Sequence, residues 1–206
     1  MSEEPALKEI VLATRNRHKG EELTALLGDL GIQIRTLADF PTAPEVEENG
    51  TTCEANAIKK ATEIARATGL TAVADDTGLE VDALDGRPGM FAARYAGEQA
   101  TYEDNCRKLL QELAGIPALK RTARFLTVAA IAFPGGEVHI AQGTLEGLIT
   151  EEAIGDRGFG YDPVFLVPEL GKTLAELTAG EKNRVSHRAK AFAKVREILS
   201  ASMVNV

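Results

Sequence analysis

The apolar positions come first in short runs and then at helical spacing. Ile10-Val11-Leu12-Ala13 predicts a buried strand. Leu23, Leu26, Leu27 and Leu30 then predict an amphipathic helix, with Gly31 standing where the residue after a helix end should. Residues 32–37 alternate as a strand does. A loop from Asp39 to Gly50 follows, carrying Pro41, Pro44 and the carboxylates of Asp39, Glu45, Glu47 and Glu48. Thr51 with Glu54 is a capping-box pattern, and it opens a helix through Ile58, Ala61, Ile64 and Ala65 that stops at Gly69. Thr71-Ala72-Val73-Ala74 predicts a short buried strand running into Asp75-Asp76-Thr77-Gly78. A further strand is expected over residues 79–84, before a Gly/Pro-rich loop to Gly97. Thr101 with Asp104 caps a helix on Cys106, Leu109, Leu110 and Leu113. Residues 124–133, a Gly135-Gly136 turn and residues 138–149 read as a long hairpin, with His139 as a sheet residue. Gly158-Phe159-Gly160-Tyr161-Asp162-Pro163 reads as a shaped loop, and a last helix begins near Ser186 and buries Ala189, Phe192, Val195 and Leu199.

Helices and strands alternate early and the hairpin comes late. That order predicts an α/β fold: a mixed, partly parallel twisted sheet flanked by helices, in a single domain over residues 1–206, with a substrate cleft between two lobes. A chain of 206 residues can bury a sizeable core, and it has no apolar run long enough for a membrane span. Met1-Ser2-Glu3-Glu4-Pro5 is acidic and lacks an apolar signal core, which argues against secretion. Cys53 and Cys106 lack metal-ligand spacing and fit a reducing cytoplasm. The net charge of −8 argues against a broad nucleic-acid face, because duplex affinity rests on many Lys and Arg contacts. A small anionic ligand needs only local positive charge or a metal.

Such local charge exists. Thr14-Arg15-Asn16-Arg17-His18-Lys19 joins the first strand to the first helix, where free N–H groups and the helix dipole favour an anion. Asp75-Asp76 follows an apolar strand, where ligand sites of open α/β sheets collect. A carboxylate there can hold magnesium or take a proton from attacking water, while the bland alternative is a capped turn. The loop acids Glu47 and Glu48 are ordinary surface residues unless a metal uses them. Phe159 offers a face for a base, flanked by Gly160, Tyr161 and Asp162. Lys182, then Ser186-His187-Arg188, puts cations where a helix dipole disfavours them. No nucleophile triad, zinc spacing or Walker A pattern accompanies them. Together these residues point to a nucleoside triphosphate with magnesium.

Four ordered blocks carry a resemblance: Thr14-Arg15-Asn16-Arg17-His18-Lys19, Ala74-Asp75-Asp76-Thr77-Gly78-Leu79, Phe159-Gly160-Tyr161-Asp162-Pro163 and Ser186-His187-Arg188. With Asn56-Ala57, Lys60-Ala61, Pro88-Gly89, Ala93-Arg94-Tyr95 and Glu176-Leu177-Thr178, they closely resemble the inosine/xanthosine triphosphate pyrophosphatases, the Ham1-like family. The resemblance implies hydrolysis of non-standard purine nucleoside triphosphates (ITP, dITP, XTP) to the monophosphate and pyrophosphate. It implies Asp76 as proton acceptor and magnesium ligand, with Glu47 as the second acidic ligand. Thr14, Asn16 and Lys19 would hold the triphosphate, with Arg15, Arg17 and His18 secondary, and Thr77 would lie against the substrate. Phe159, Gly160, Tyr161, Asp162, Lys182, His187 and Arg188 would surround the nucleoside. It further implies a homodimer. The competing readings are a Maf-type pyrophosphatase acting on other nucleotides, a non-catalytic nucleotide-binding regulator and a nucleic-acid module using Arg15, Arg17 and Lys19.

Overall fold

The computed structural model describes residues 7–204, so the acidic start from Met1 to Pro5 lies outside the described residues. In chain order the elements are β1 (Glu9–Leu12), α1 (Arg17–Leu27), β2 (Gln33–Thr36), α2 (Cys53–Thr68), β3 (Thr71–Val81), β4 (Pro88–Gly89), α3 (Tyr102–Glu112), β5 (Thr122–Ala132), β6 (Val138–Ile149), β7 (Phe165–Val167), β8 (Lys172–Thr173), α4 (Ala179–Val185) and α5 (His187–Val204). The eight-stranded sheet has the order β2-β1-β3-β5-β6-β7-β8, with β4 paired to β3. β1 is parallel to both β2 and β3, as crossovers through α1 and α2 require. β3–β4, β6–β7 and β7–β8 are antiparallel, so the sheet is mixed.

The chain divides into two compact units. One comprises Met1–Asp76, Thr127–Gly143 and Ala189–Val206; the other comprises Thr77–Leu126 and Thr144–Arg188. In the first unit Ile10 and Leu12 of β1, Leu23 and Leu27 of α1 and Phe192, Val195 and Leu199 of α5 share one core. In the second, Leu79, Leu109, Leu113, Phe125, Val164 and Phe165 form another. Each fully buried Leu or Phe contributes about 2 kcal/mol of transfer free energy. Arg121 of the second unit is 5% exposed, and its guanidinium donates to the carbonyls of Ile116, Leu113 and Thr150 at 2.9, 3.0 and 2.8 Å.

Several elements differ from their sequence-based bounds. α1 ends at Leu27, with Gly28 as its C-cap, and Gly31 takes φ +72° in the turn beyond. Gly28 and Asp29 are poor helix formers, which accounts for the early stop, and Leu30 packs on the core from outside the helix. α2 is capped by Thr52, whose hydroxyl accepts from Ala55 N at 3.0 Å, one residue later than the Thr51 pattern implied. The two strands expected around Asp75-Asp76 are a single strand, β3, with both aspartates in its interior. α5 begins at His187, as the expected start near Ser186 has it, and Ser186 also C-caps α4, an additional seven-residue helix behind a Thr178/Glu181 capping box. Among the described residues, no helix is long and apolar enough to cross a membrane.

Candidate active site

The loop after β1 is shaped by its own side chains. Thr14 Oγ1 accepts from Asn16 N at 3.2 Å, and Asn16, the N-cap of α1, accepts from Lys19 N at 3.2 Å. Thr14, Asn16 and Lys19 are half-buried, whereas Arg15, Arg17 and His18 are exposed. Arg17 pairs with Glu21 one turn on, and Arg15 donates to the Ala43 carbonyl at 3.1 Å. A cavity of about 720 Å³ opens beside the loop, lined by Thr14, Asn16, Gly20, Thr24 and residues 36–38.

Lys19 also reaches β3, with its Nζ 3.3 Å from Asp75 Oδ2. Successive strand side chains point to opposite faces, and the two aspartates accordingly meet different partners. Asp76 lies among residues of α2: Asn56 Nδ2 donates to its Oδ2 at 3.2 Å, and Lys60 Nζ stands 3.7 Å from its Oδ1. The same ammonium donates to Glu48 Oε1 and to the Asp75 carbonyl, both at 2.7 Å. Burial pushes Asp76 above the usual carboxylate range, although Lys60 and Lys19 pull against it. Burial works against the Lys60 charge, but Asp76, Asp75 and Glu48 outweigh it and its pKa is raised. Cys53, at the start of α2, is pushed up to about 12 by burial and by its neighbour Asp76.

Glu48, rather than Glu47, is therefore the loop acid tied into this cluster. The Glu47 carboxylate is exposed and accepts from Asn49 Nδ2 at 3.2 Å, while its carbonyl accepts from Lys59. Asn56 and Lys60 entered the sequence reading only through the resemblance. Their i, i+4 spacing was the available signal, because it places both on one face of α2 beside the buried Ala57 and Ala61. Among the described residues, no three His, Cys, Asp or Glu side chains converge as a ready-made metal cage. Magnesium does not require one, since it usually keeps several waters and takes one or two carboxylates with substrate phosphate.

In the second unit the residues 158–162 wrap around Asp162. Its Oδ2 accepts from Phe159 N at 2.9 Å and from Lys182 Nζ at 2.5 Å, and both partners of the ion pair are buried. Gly158 has φ +74°, and a Cβ there would lie 2.0 Å from Asp162 Oδ2, so the turn needs glycine on both counts. Lys182 Nζ lies 4.9 Å and the Arg188 guanidinium 5.4 Å from the Phe159 ring centre, and Tyr102 tilts against that ring at 5.9 Å. Arg188 also donates to Thr77 Oγ1 at 3.3 Å. His187 is buried and stacked on Phe125 at 4.5 Å. The Tyr161 ring belongs to the core, with its hydroxyl donated to the Ala92 carbonyl at 2.8 Å. Thr77, Phe159, Asp162, Lys182 and Arg188 thus form one cluster around the Phe159 ring, with His187 and Tyr161 supporting it from the interior.

The model of the Ham1 family matches residues 10–198. The chain belongs to the Ham1 family. It is 54% identical over 190 residues to a dITP/XTP pyrophosphatase of Elusimicrobium minutum, covering 90% of this chain and 96% of that protein. It is 50% identical over 191 residues to a dITP/XTP pyrophosphatase of Geobacillus kaustophilus, covering 93% and 94%. Among solved structures it is similar to a HAM1 protein from Coxiella burnetii, with a TM-score of 0.85, 41% identity and coverage of 95% of this chain and 100% of that one. The mixed sheet with flanking helices is accordingly the Ham1 architecture.

Proposed function

We propose that this chain hydrolyses non-standard purine nucleoside triphosphates of the dITP, ITP and XTP kind, giving the monophosphate and pyrophosphate. The names of its Ham1 relatives support the reaction. The observation that carries it is the buried Asp76 carboxylate, held between an amide and an ammonium. Water attacks the α-phosphorus while its proton passes to Asp76. A new P–O bond forms, the α–β bridging P–O bond breaks, and pyrophosphate leaves with the electron pair. Such transfers depend mostly on positioning and charge. Lys19, Lys60 and the N–H groups of the Thr14–Lys19 loop supply positive charge for the phosphates.

The oxygen donors fit magnesium, because Glu48, Asp75 and Asp76 face two lysines and leave the cluster one negative charge in excess. Asp76 and Glu47 would hold the ion, since Glu48 is already engaged by Lys60 and Glu47 is exposed in the same loop. When bound, it would polarise phosphate oxygens and offset charge developing on them. Base recognition falls to the second cluster: the Phe159 face stacks, while Arg188 and the main-chain N–H groups of residues 158–162 donate to a 6-oxo group. A 6-amino base would leave such donors unpaired, a mismatch that can discriminate by about 10⁴-fold. The working unit in this proposal is a homodimer of the 1–206 domain, acting in the cytoplasm.

Pyrophosphate release from ITP, XTP, dITP, GTP and ATP, with and without magnesium, tests the reading. Turnover should favour the first three substrates over ATP and require the divalent ion. No turnover, or a preference for modified pyrimidine triphosphates, would overturn it. Light scattering on the purified protein tests the dimer.

A further inference from the structure

Asn56 lies in the first turns of α2, 2% exposed, and both ends of its amide are in use. Its Oδ1 accepts from Gly50 N–H at 2.8 Å, and its Nδ2 donates to Asp76 Oδ2 at 3.2 Å. A main-chain N–H can only donate, so the amide oxygen must face Gly50 and the NH₂ must face Asp76. That removes the usual flip ambiguity of an asparagine. The other carboxylate oxygen, Oδ1, stands 3.7 Å from Lys60 Nζ, beyond good hydrogen-bond distance, while that ammonium donates to Glu48 and to the Asp75 carbonyl. The two oxygens of Asp76 are therefore inequivalent.

We propose that Asn56 is the positioning residue for Asp76: its amide turns the carboxylate so that Oδ1 is presented to water, and ties that orientation to the loop carrying Glu47 and Glu48. This rests on the reading of Asp76 as proton acceptor. The tie runs through Gly50, the end of that loop. A Cβ at residue 50 would come within 2.6 Å of Asn56 Oδ1 and 2.9 Å of Ala55 Cβ. Glycine thus lets the loop close onto the same amide that holds the carboxylate. A shift of the loop is transmitted to Asp76 through one side chain, and Asn56 itself need not touch substrate.

A purely structural role would require only the bond to Gly50. Asn56→Asp keeps an acceptor for Gly50 N–H at the same length but replaces the NH₂ that faces Asp76 with a second oxygen. Asn56→Leu removes both bonds at similar volume, and Gly50→Ala displaces the amide without altering either partner's chemistry. With ITP and magnesium, Asn56→Asp and Asn56→Leu should each lose about 10- to 100-fold in kcat, the usual worth of a hydrogen bond to a ligating carboxylate. KM should stay at the wild-type value, and Gly50→Ala should lose kcat in the same direction. Both variants should keep cooperative melting while losing turnover. A wild-type kcat in Asn56→Asp, a raised KM with kcat intact, or loss of cooperative melting in both Asn56 variants would each overturn the proposal. Wild-type enzyme and Asp76→Asn are measured alongside. A silent wild type, or an active Asp76→Asn, would sink the functional reading; an active wild type, a dead Asp76→Asn and an active Asn56→Asp would sink the role of Asn56 alone.

Discussion

The two charged clusters are built on opposite balances. In the first unit the carboxylates of Glu48, Asp75 and Asp76 meet the ammonium groups of Lys19 and Lys60, so acid is in excess. In the second, the carboxylate of Asp162 meets Lys182 directly, while Lys182 and Arg188 both lie against the Phe159 ring. An acid-rich cluster with two buried carboxylates suits a divalent cation and a proton transfer. A cation-rich cluster against an aromatic ring suits a flat base with carbonyl oxygens. The supports differ as well. Lysines from α1 and α2 hold the aspartates of β3, whereas the second cluster draws on a glycine-containing loop, the short α4, the first turn of α5 and Thr77 of β3.

The sharpest way to break this contrast is Asp76→Asn. It should lose about 10² to 10⁴ in kcat, the range for a general base, with KM for ITP little changed. Steady-state kinetics check it, and an effect confined to KM would put Asp76 in binding instead. Lys182→Met tests the other cluster, where the effect should fall on stability and KM. Removing one partner of a buried pair leaves an uncompensated charge, and urea unfolding should show a loss of about 3 kcal/mol. An unchanged midpoint would mean that the Asp162–Lys182 pair does not hold the loop.

A smaller effect comes with pH. Burial, with Glu103 and Asp162 nearby, pushes the Cys106 thiol up to about 12. Burial and Glu112 push Tyr95 up to about 12 as well. An unfolded thiol ionises near about 8.5, so the stability from keeping Cys106 neutral is complete below that pH and is lost as pH rises toward its folded value. Melting temperatures from neutral to strongly alkaline pH should fall accordingly, and less steeply for Cys106→Ala. The smallest effect is expected of Arg17→Ala. Arg17 is exposed and paired with Glu21, and pyrophosphate release by the variant should match wild type. A clear loss would return the exposed cations of the first loop to the phosphate grip.

Legibility in the sequence followed locality. β1, the Thr14–Lys19 turn and the Thr101/Asp104 box of α3 are short-range patterns, and each stands where its residues placed it. Thr178 with Glu181 is a pattern of the same kind, and it marks the start of α4 as locally as Thr101 with Asp104 marks that of α3. Asp75-Asp76 looked like the end of a strand because two adjacent acids rarely sit inside one. Their compensation comes from Lys19 and Lys60, residues remote in sequence, and no local pattern reports it. Tyr161 is a similar case. Within its motif it looks like a substrate contact, but its ring is buried by core residues from other segments. What sequence alone could not convey was which polar side chains face one another.

Arg121 differs in kind from the pairs above, since its guanidinium is held by three main-chain oxygens. Carbonyl groups neither gain nor lose protons across the aqueous range, and dipoles tucked into an interior are little affected by dissolved ions. Acid or brine that loosens carboxylate–ammonium contacts elsewhere should therefore leave this joint intact. The ends of α3 and β6 would then stay fastened together in a partly acid-unfolded chain, where Leu113 and Thr150 amide neighbours should be among the last to exchange their hydrogens.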